Sequence, residues 1–146
     1  MLSNTKKKIK ELLNKQTLAV LATIGVEGPH TSLVAFSATE DLKQIVFSTG
    51  KATRKSTNLK RNPQVAVLID DRTNKVRDFR DASVVIARGL AYEVGKKGKL
   101  LDLYLQKHPH LVDFVDKPSR ALFSVKVKKF DLVTRFQHVL EMELDE

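Results

Sequence analysis

Apolar and polar positions along the chain change period several times, and each change marks an element. From Ser3 to Asn14 the apolar residues Ile9, Leu12 and Leu13 recur at i, i+3 and i+4, the spacing of a short helix with one buried stripe. Thr17 to Ile24, TLAVLATI, is a brief apolar and partly β-branched run that reads as a buried strand. Gly25, Gly28 and Pro29 then mark a turn. His30 to Thr39 and Gln44 to Thr49 read as two strands joined around Glu40 and Asp41, a hairpin.

Gly50 opens a different stretch. Thr53 to Asn62 has few strand-forming residues and ends at Asn62-Pro63, which predicts a short helix starting near Ala52 or Thr53 and stopping before the proline. Gln64 to Ile69 is a buried strand, Asp70 to Asp81 a polar loop, and Ser83 to Val94 a long strand with Gly89 at a bulge or close approach. Gly95 to Gln106 carries a cluster of leucines and predicts another helix, broken by the segment His108 to Phe114. Ala121 to Val127 and Phe130 to Phe136 read as two final strands, the second extending towards Met142. The expectation is one mainly β domain over residues 1–146, with six or seven mostly antiparallel strands and two or three short helices. Strands this closely spaced argue for a barrel. The βαβ rhythm and the G-x-G-x-x-G fingerprint of a Rossmann domain are both missing from the sequence.

Composition narrows the function. No run of residues approaches the length of an apolar membrane span. The charged stretch Met1 to Lys15 has no signal-peptide core, so the expected compartment is the cytoplasm. Without cysteine there is no disulfide, thiolate nucleophile or cysteine-bound metal. Twenty-six Lys and Arg against seventeen Asp and Glu give a net charge of +9, which attracts anions generally. The positive charge is spread over Lys6–Lys10, Lys51–Arg61, Lys96–Lys99 and Lys126–Lys129, and acids collect at Glu141, Glu143, Asp145 and Glu146. Such dispersal suits a solvated surface more than a nucleic-acid groove, and interleaved surface aromatics for base stacking are absent from the sequence.

One stretch is electrostatically odd. A helix start carries roughly half a positive charge, normally relieved by Asp or Glu in the first turn. After Phe47-Ser-Thr-Gly the predicted helix begins with no acid at all, with Lys51 just before it and Arg54 and Lys55 inside it. Each placement costs about 0.3–1 kcal/mol unless an anion is present. A bound phosphate reverses that sign, because backbone N–H groups, three cations and the hydroxyls of Ser48, Thr49 and Thr53 can all address one dianion. The alternative is that these cations point into solvent.

Gly28-Pro-His-Thr-Ser-Leu-Val, then Phe47-Ser-Thr, Thr53-Arg-Lys and Asn62-Pro-Gln-Val resemble, in order and spacing, the pyridoxamine 5'-phosphate oxidase-like, FMN-binding split-barrel family. The likeness runs from Leu18 to Ala91, and Ala121 to Gln137 looks like the family's closing strands. It implies an antiparallel split β-barrel that binds FMN. Arg54 and Lys55 would match the phosphate clamp, with Lys51 beside them, and Ser48, Thr49 and Thr53 would match hydroxyl partners of the phosphate or ribityl chain. Ser32, Leu33, Val34 and Ala35 would match the strand whose backbone lies along the isoalloxazine ring. The resemblance also implies a homodimer with the flavin between subunits, the second subunit contributing from the strand around Ser83 to Ile86. There are departures. Ser37 stands where pyridoxamine-phosphate oxidase has a lysine, Ser83 or Val84 where it has a glutamine, and neither the C-terminal arginine–histidine signature nor any tryptophan is present. The resemblance therefore implies the flavin and speaks against that particular substrate.

Other candidates have plainer readings. His108 and His110 flank Pro109 without an obvious third metal ligand. His30 sits beside the proposed flavin strand, as a proton donor or simply as cover for the barrel rim. Asp70 and Asp71 read as a solvated turn, Tyr92 and Tyr104 as packing aromatics, and the N-terminal lysines as the wet face of the first helix. Two functional classes fit this picture. One is a flavin-dependent oxidoreductase acting on an unidentified small molecule, with a deazaflavin-dependent reductase as its variant. The other is a flavin-binding electron carrier or sensor without a substrate of its own.

Overall fold

The computed structural model describes residues 3–136 and 138–144. Gln137, at the end of the expected closing segment, and Asp145 and Glu146 of the acidic cluster lie outside them, as do Met1 and Leu2. The elements run α1 (Asn4–Lys15), β1 (Leu18–Gly25), β2 (Gly28–Ala38), β3 (Gln44–Gly50), α2 (Arg54–Arg61), β4 (Gln64–Asp70), α3 (Asp78–Asp81), β5 (Val84–Val94), α4 (Lys99–Lys107), a 3-10 turn (Pro109–Leu111), α5 (Val112–Asp116), β6 (Arg120–Thr134) and β7 (His138–Glu143). All strand pairings are antiparallel, in the order β3-β2-β1-β4-β5-β6-β7, and a further β3–β6 pairing closes the first six into a barrel.

The closure depends on the length of β6. Its first half, Arg120–Lys126, pairs with β3, while Lys129–Thr134 pairs with β7. Sequence periodicity suggested two strands here; the structure has one, ending at Thr134, with β7 beginning after the turn. The apparent break is a bulge. Arg88 faces Lys129 and Gly89 faces Val127, so Lys128 is an extra residue on β6 and the buried face changes phase across it. Gly89 is required there, since a Cβ would lie 2.1 Å from the Lys126 carbonyl oxygen.

The barrel is filled by Leu21, Phe36, Ile45, Phe47, Val67, Ile69, Val85, Phe123, Val125 and Phe130, to which α1 adds Ile9, Leu12 and Leu13 and α2 adds Leu59. Phe47 and Phe123 stack across the β3–β6 seam with centroids 5.5 Å apart. A second cluster outside the barrel packs α4 and α5 on β3 and β6 through Val46, Tyr104, Val115 and Leu122. The segment expected only to break the preceding helix therefore forms the 3-10 turn and α5, whose Val115 is buried. Likewise α3 is a single turn inside the loop expected from Asp70 to Asp81. Asp70 and Asp71 tie that loop down, accepting from Arg72 N and Ser83 N. Among the described residues no helix is long and apolar enough to cross a membrane.

Candidate functional site

The barrel is split between β2 and β3. These strands pair only where Phe36–Ala38 meets Ile45–Phe47, so the stretch of β2 from Gly28 to Ala35 has β1 as a neighbour and, among the described residues, no strand on its other edge. Phe36 N donates to Thr17 O on the β1 side. Peptide groups alternate in direction along a strand, which turns those of Thr31, Leu33 and Ala35 towards the split. One of them is engaged: Tyr104, from α4, donates its hydroxyl to Ala35 O at 3.3 Å, and its oxygen faces the Ser48 N–H of β3. The phenol thus acts as a rung between strands that have parted, and burial pushes its pKa up to about 12. Leu33 and Thr31 keep a free edge among the described residues.

Beside this edge lies the start of α2. Thr53 is its N-cap, accepting from Ser56 N at 3.2 Å and donating to Gly50 O at 2.9 Å. Intrahelical bonding begins with Thr57 N on Thr53 O. The N–H groups of Arg54 and Lys55 are left as the open donors of the first turn. That turn holds no acidic residue, as the sequence indicated, and Arg54 and Lys55 stand in it.

A cleft of about 660 Å³ separates α2 from the β1–β2 turn, lined on the helix side by Thr53, Arg54, Thr57, Asn58 and Arg61, and across from them by Gly25 to His30. Asn58 anchors the helix to β1 by donating from Nδ2 to Thr23 Oγ1 at 3.1 Å. Gly25 makes room for it, since a Cβ there would meet both Asn58 side-chain heteroatoms at 3.1 Å. Two buried hydroxyls on the flanking elements, Ser32 Oγ on β2 and Ser56 Oγ on α2, have no hydrogen-bond partner among the described residues. Neither lines the cleft itself, and an unmet buried hydroxyl costs about 1–3 kcal/mol.

The candidate residues fall into groups. Thr53 and Arg54 line the cleft together with His30. Lys51 is exposed at the end of β3 and Lys55 is half-buried; neither lines that wall. Ser48 and Thr49 are buried. Ser48 donates to Ala121 O at 3.0 Å, and the Thr49 and Thr53 hydroxyls lie 3.2 Å apart, so these groups brace the loop from within. On β2 the Leu33 side chain is exposed and Val34 buried, with Ser32 and Ala35 between. Arg61 escaped the sequence reading, although its spacing from Arg54 and Asn58 along one helical face was the available signal. His108 is buried with Nε2 2.7 Å from Phe36 O, a packing role.

Over residues 5–134 the sequence matches the family model for pyridoxamine 5'-phosphate oxidase. No curated protein matches it. Several solved structures share the fold. A heme binding protein from Mycobacterium smegmatis is 14% identical with a TM-score of 0.83, the match covering 98% of this chain and 59% of that one. General Stress Protein 26 from Bacillus anthracis is 18% identical with a TM-score of 0.73, over 97% and 100% of the two chains. HutZ, a heme storage protein from Vibrio cholerae, is 17% identical with a TM-score of 0.73, over 88% and 93%. At such identities the likeness is one of fold alone. The family match over most of the chain, with the closed barrel and its split edge, carries the assignment: the chain belongs to the pyridoxamine 5'-phosphate oxidase family.

Proposed function

We propose that the chain binds FMN non-covalently and serves as a flavin-dependent oxidoreductase acting on a small molecule. One observation carries the reading: a helix start without an acid, bearing Arg54 and Lys55, opens beside an unpaired strand edge. The open N–H groups, the two cations and Lys51 supply what a terminal phosphate needs. The Ser32–Ala35 stretch, with the free peptide groups of Leu33 and Thr31, suits a flat ring that needs backbone donors and acceptors along one side. Bound flavin would supply hydride and single-electron transfer, and the protein would supply position and charge.

The flavin reading includes a homodimer. The outer face of β2-β1-β4-β5 carries Leu33, Leu18, Val20, Leu68 and Ile86 as neighbours in the strand register. Leu33 and Leu18 are 64% and 51% exposed. An apolar sheet face of this kind is characteristic of an interaction surface, and a second copy covering it would border the β2 edge.

A second reading has its own observation. An apolar hollow of about 410 Å³ on the barrel wall is lined by Ala22, Ile24, Pro29, Ala66 and Leu90, with Arg88 and Lys128 among the residues that border it. That combination suits heme with its propionates, the ligand named for two of the fold's neighbours. Among the described residues the lining includes no His, Cys, Met or Tyr to bind iron, which favours flavin. Incubating the protein separately with FMN and with hemin, desalting, and recording the absorbance of the protein fraction separates them. Retained flavin bands without a Soret band are expected. A Soret band with no retained flavin would overturn the reading.

A further inference from the structure

The phosphate site described above draws its cations from a single stretch, Lys51 to Lys55, but another arrives from a distant part of the chain. Arg120 opens β6, and the sheet register pairs it with Gly50, the last residue of β3. Cross-strand partners project to the same face. Gly50 contributes no side chain, and Arg120 lies over it. A Cβ on Gly50 would sit 3.5 Å from Arg120 Nη1 and 3.1 Å from Thr53 Cγ2. The guanidinium and the N-cap of α2 therefore border one small notch. Lys51 N, donating to Ser119 O at 2.8 Å, fastens the two segments together.

Arg120 is poorly provided for within its own chain. Its guanidinium carbon lies 3.6 Å from the centre of the Phe114 ring, which holds it in place. It forms no ion pair among the described residues. Its buried Nε has no hydrogen-bond partner among the described residues, and burial works against its charge. A positioned cation with open donors, next to an acid-free helix start, asks for an anion, and the planar fork of arginine fits the oxygens of a phosphate.

We propose that Arg120 is a phosphate ligand of this site, addressing the terminal phosphomonoester of the bound flavin across the notch kept open by Gly50. The inference rests on the FMN reading and adds to it a residue from β6 that no motif marks. Its alternative is a packing role on Phe114. FMN and riboflavin, which differ by the phosphate, are titrated by flavin fluorescence against the full chain as wild type, Arg120→Met and Gly50→Ala, with apo melting curves alongside. Arg120→Met, which keeps an apolar stem on Phe114, should lower FMN affinity roughly tenfold or more and leave riboflavin within about twofold. Gly50→Ala, which fills the notch without removing charge, should show the same selective loss, and it carries the test if Arg120→Met folds poorly. An unchanged FMN-to-riboflavin ratio in both variants, against a wild type that does discriminate, overturns the role of Arg120 alone. A wild type that binds the two equally overturns the phosphate reading and this inference with it.

Discussion

Tyr104 and Lys107 beside the split and Gly89 at the β5–β6 bulge each make a separate prediction. Tyr104 donates its hydroxyl to Ala35 O and turns its oxygen towards the Ser48 N–H, so Tyr104→Phe leaves the part-buried Ala35 carbonyl without that partner. A loss of about 1–3 kcal/mol is expected in denaturant unfolding at neutral pH. The phenol ionises at 10.0 in the unfolded chain and at about 12 in the fold. The fold thus holds the proton more tightly, and the stabilisation present below pH 10 is lost as pH rises to 12. The phenylalanine variant should lack that alkaline decline; an identical decline would show that Tyr104 does not span the strands. Lys107 has the opposite sign. Desolvation lowers its pKa from 10.5 to about 8, although it donates to Leu13 O at 2.8 Å and lies 4.0 Å from the Phe36 ring centre. The fold disfavours the ammonium below pH 8, and stability is regained between pH 8 and 10.5. Lys107→Met should flatten that rise in melting curves taken across the same interval. Gly89→Ala should cost about 3 kcal/mol or more, since the added methyl would meet the backbone of β6 and not a movable side chain. A variant as stable as wild type would mean that the bulge is not fixed.

At the scale of elements, α2 begins with cations and no acid in its first turn, as α1 also does, and differs from α1 in opening beside the split. Arg54 and Lys55 oppose the dipole, and the first turn has no acid to balance them. Arg54→Ala should therefore act in opposite directions on the two states of the protein. It should leave the apo form unharmed, or stabilise it by a few tenths of a kcal/mol, and weaken FMN binding by about 1.5–3 kcal/mol. Apo melting and FMN titration of the same preparation check both signs, and a less stable apo form with unchanged affinity contradicts the assignment. This element was legible in the sequence because its signals are local: Thr53 as cap, Asn62-Pro63 as stop and cations between them. β6 was legible only in pieces, because the extra residue Lys128 shifts its periodicity and only the partner strand reveals the continuity. The Gly50–Arg120 pairing and the rung made by Tyr104 depend on which distant strands become neighbours. Single-sequence periodicity carries no information on that. The hydroxyls of Ser48 and Thr49 have the right composition for a ligand, but their directions follow from the β3–β6 seam, which turns Ser48 onto Ala121.

For the whole molecule, the barrel divides its labour. Its closed wall supplies rigidity, its split supplies an edge, and its outer face presents apolar side chains. If that face is the dimer contact, Ile86→Arg, which puts a charge among Leu68, Val20 and Leu33, should yield monomers in sedimentation at micromolar concentration and weaken flavin retention with them. A wild type that is a stable monomer and still holds FMN would remove the flavin from the interface. The account as a whole turns on the phosphate, and the difference in affinity between FMN and riboflavin for the wild-type protein measures it most directly. Charge-assisted contacts of about 1.5–3 kcal/mol each predict that FMN binds more than tenfold tighter. Equal affinity for the two flavins would contradict it.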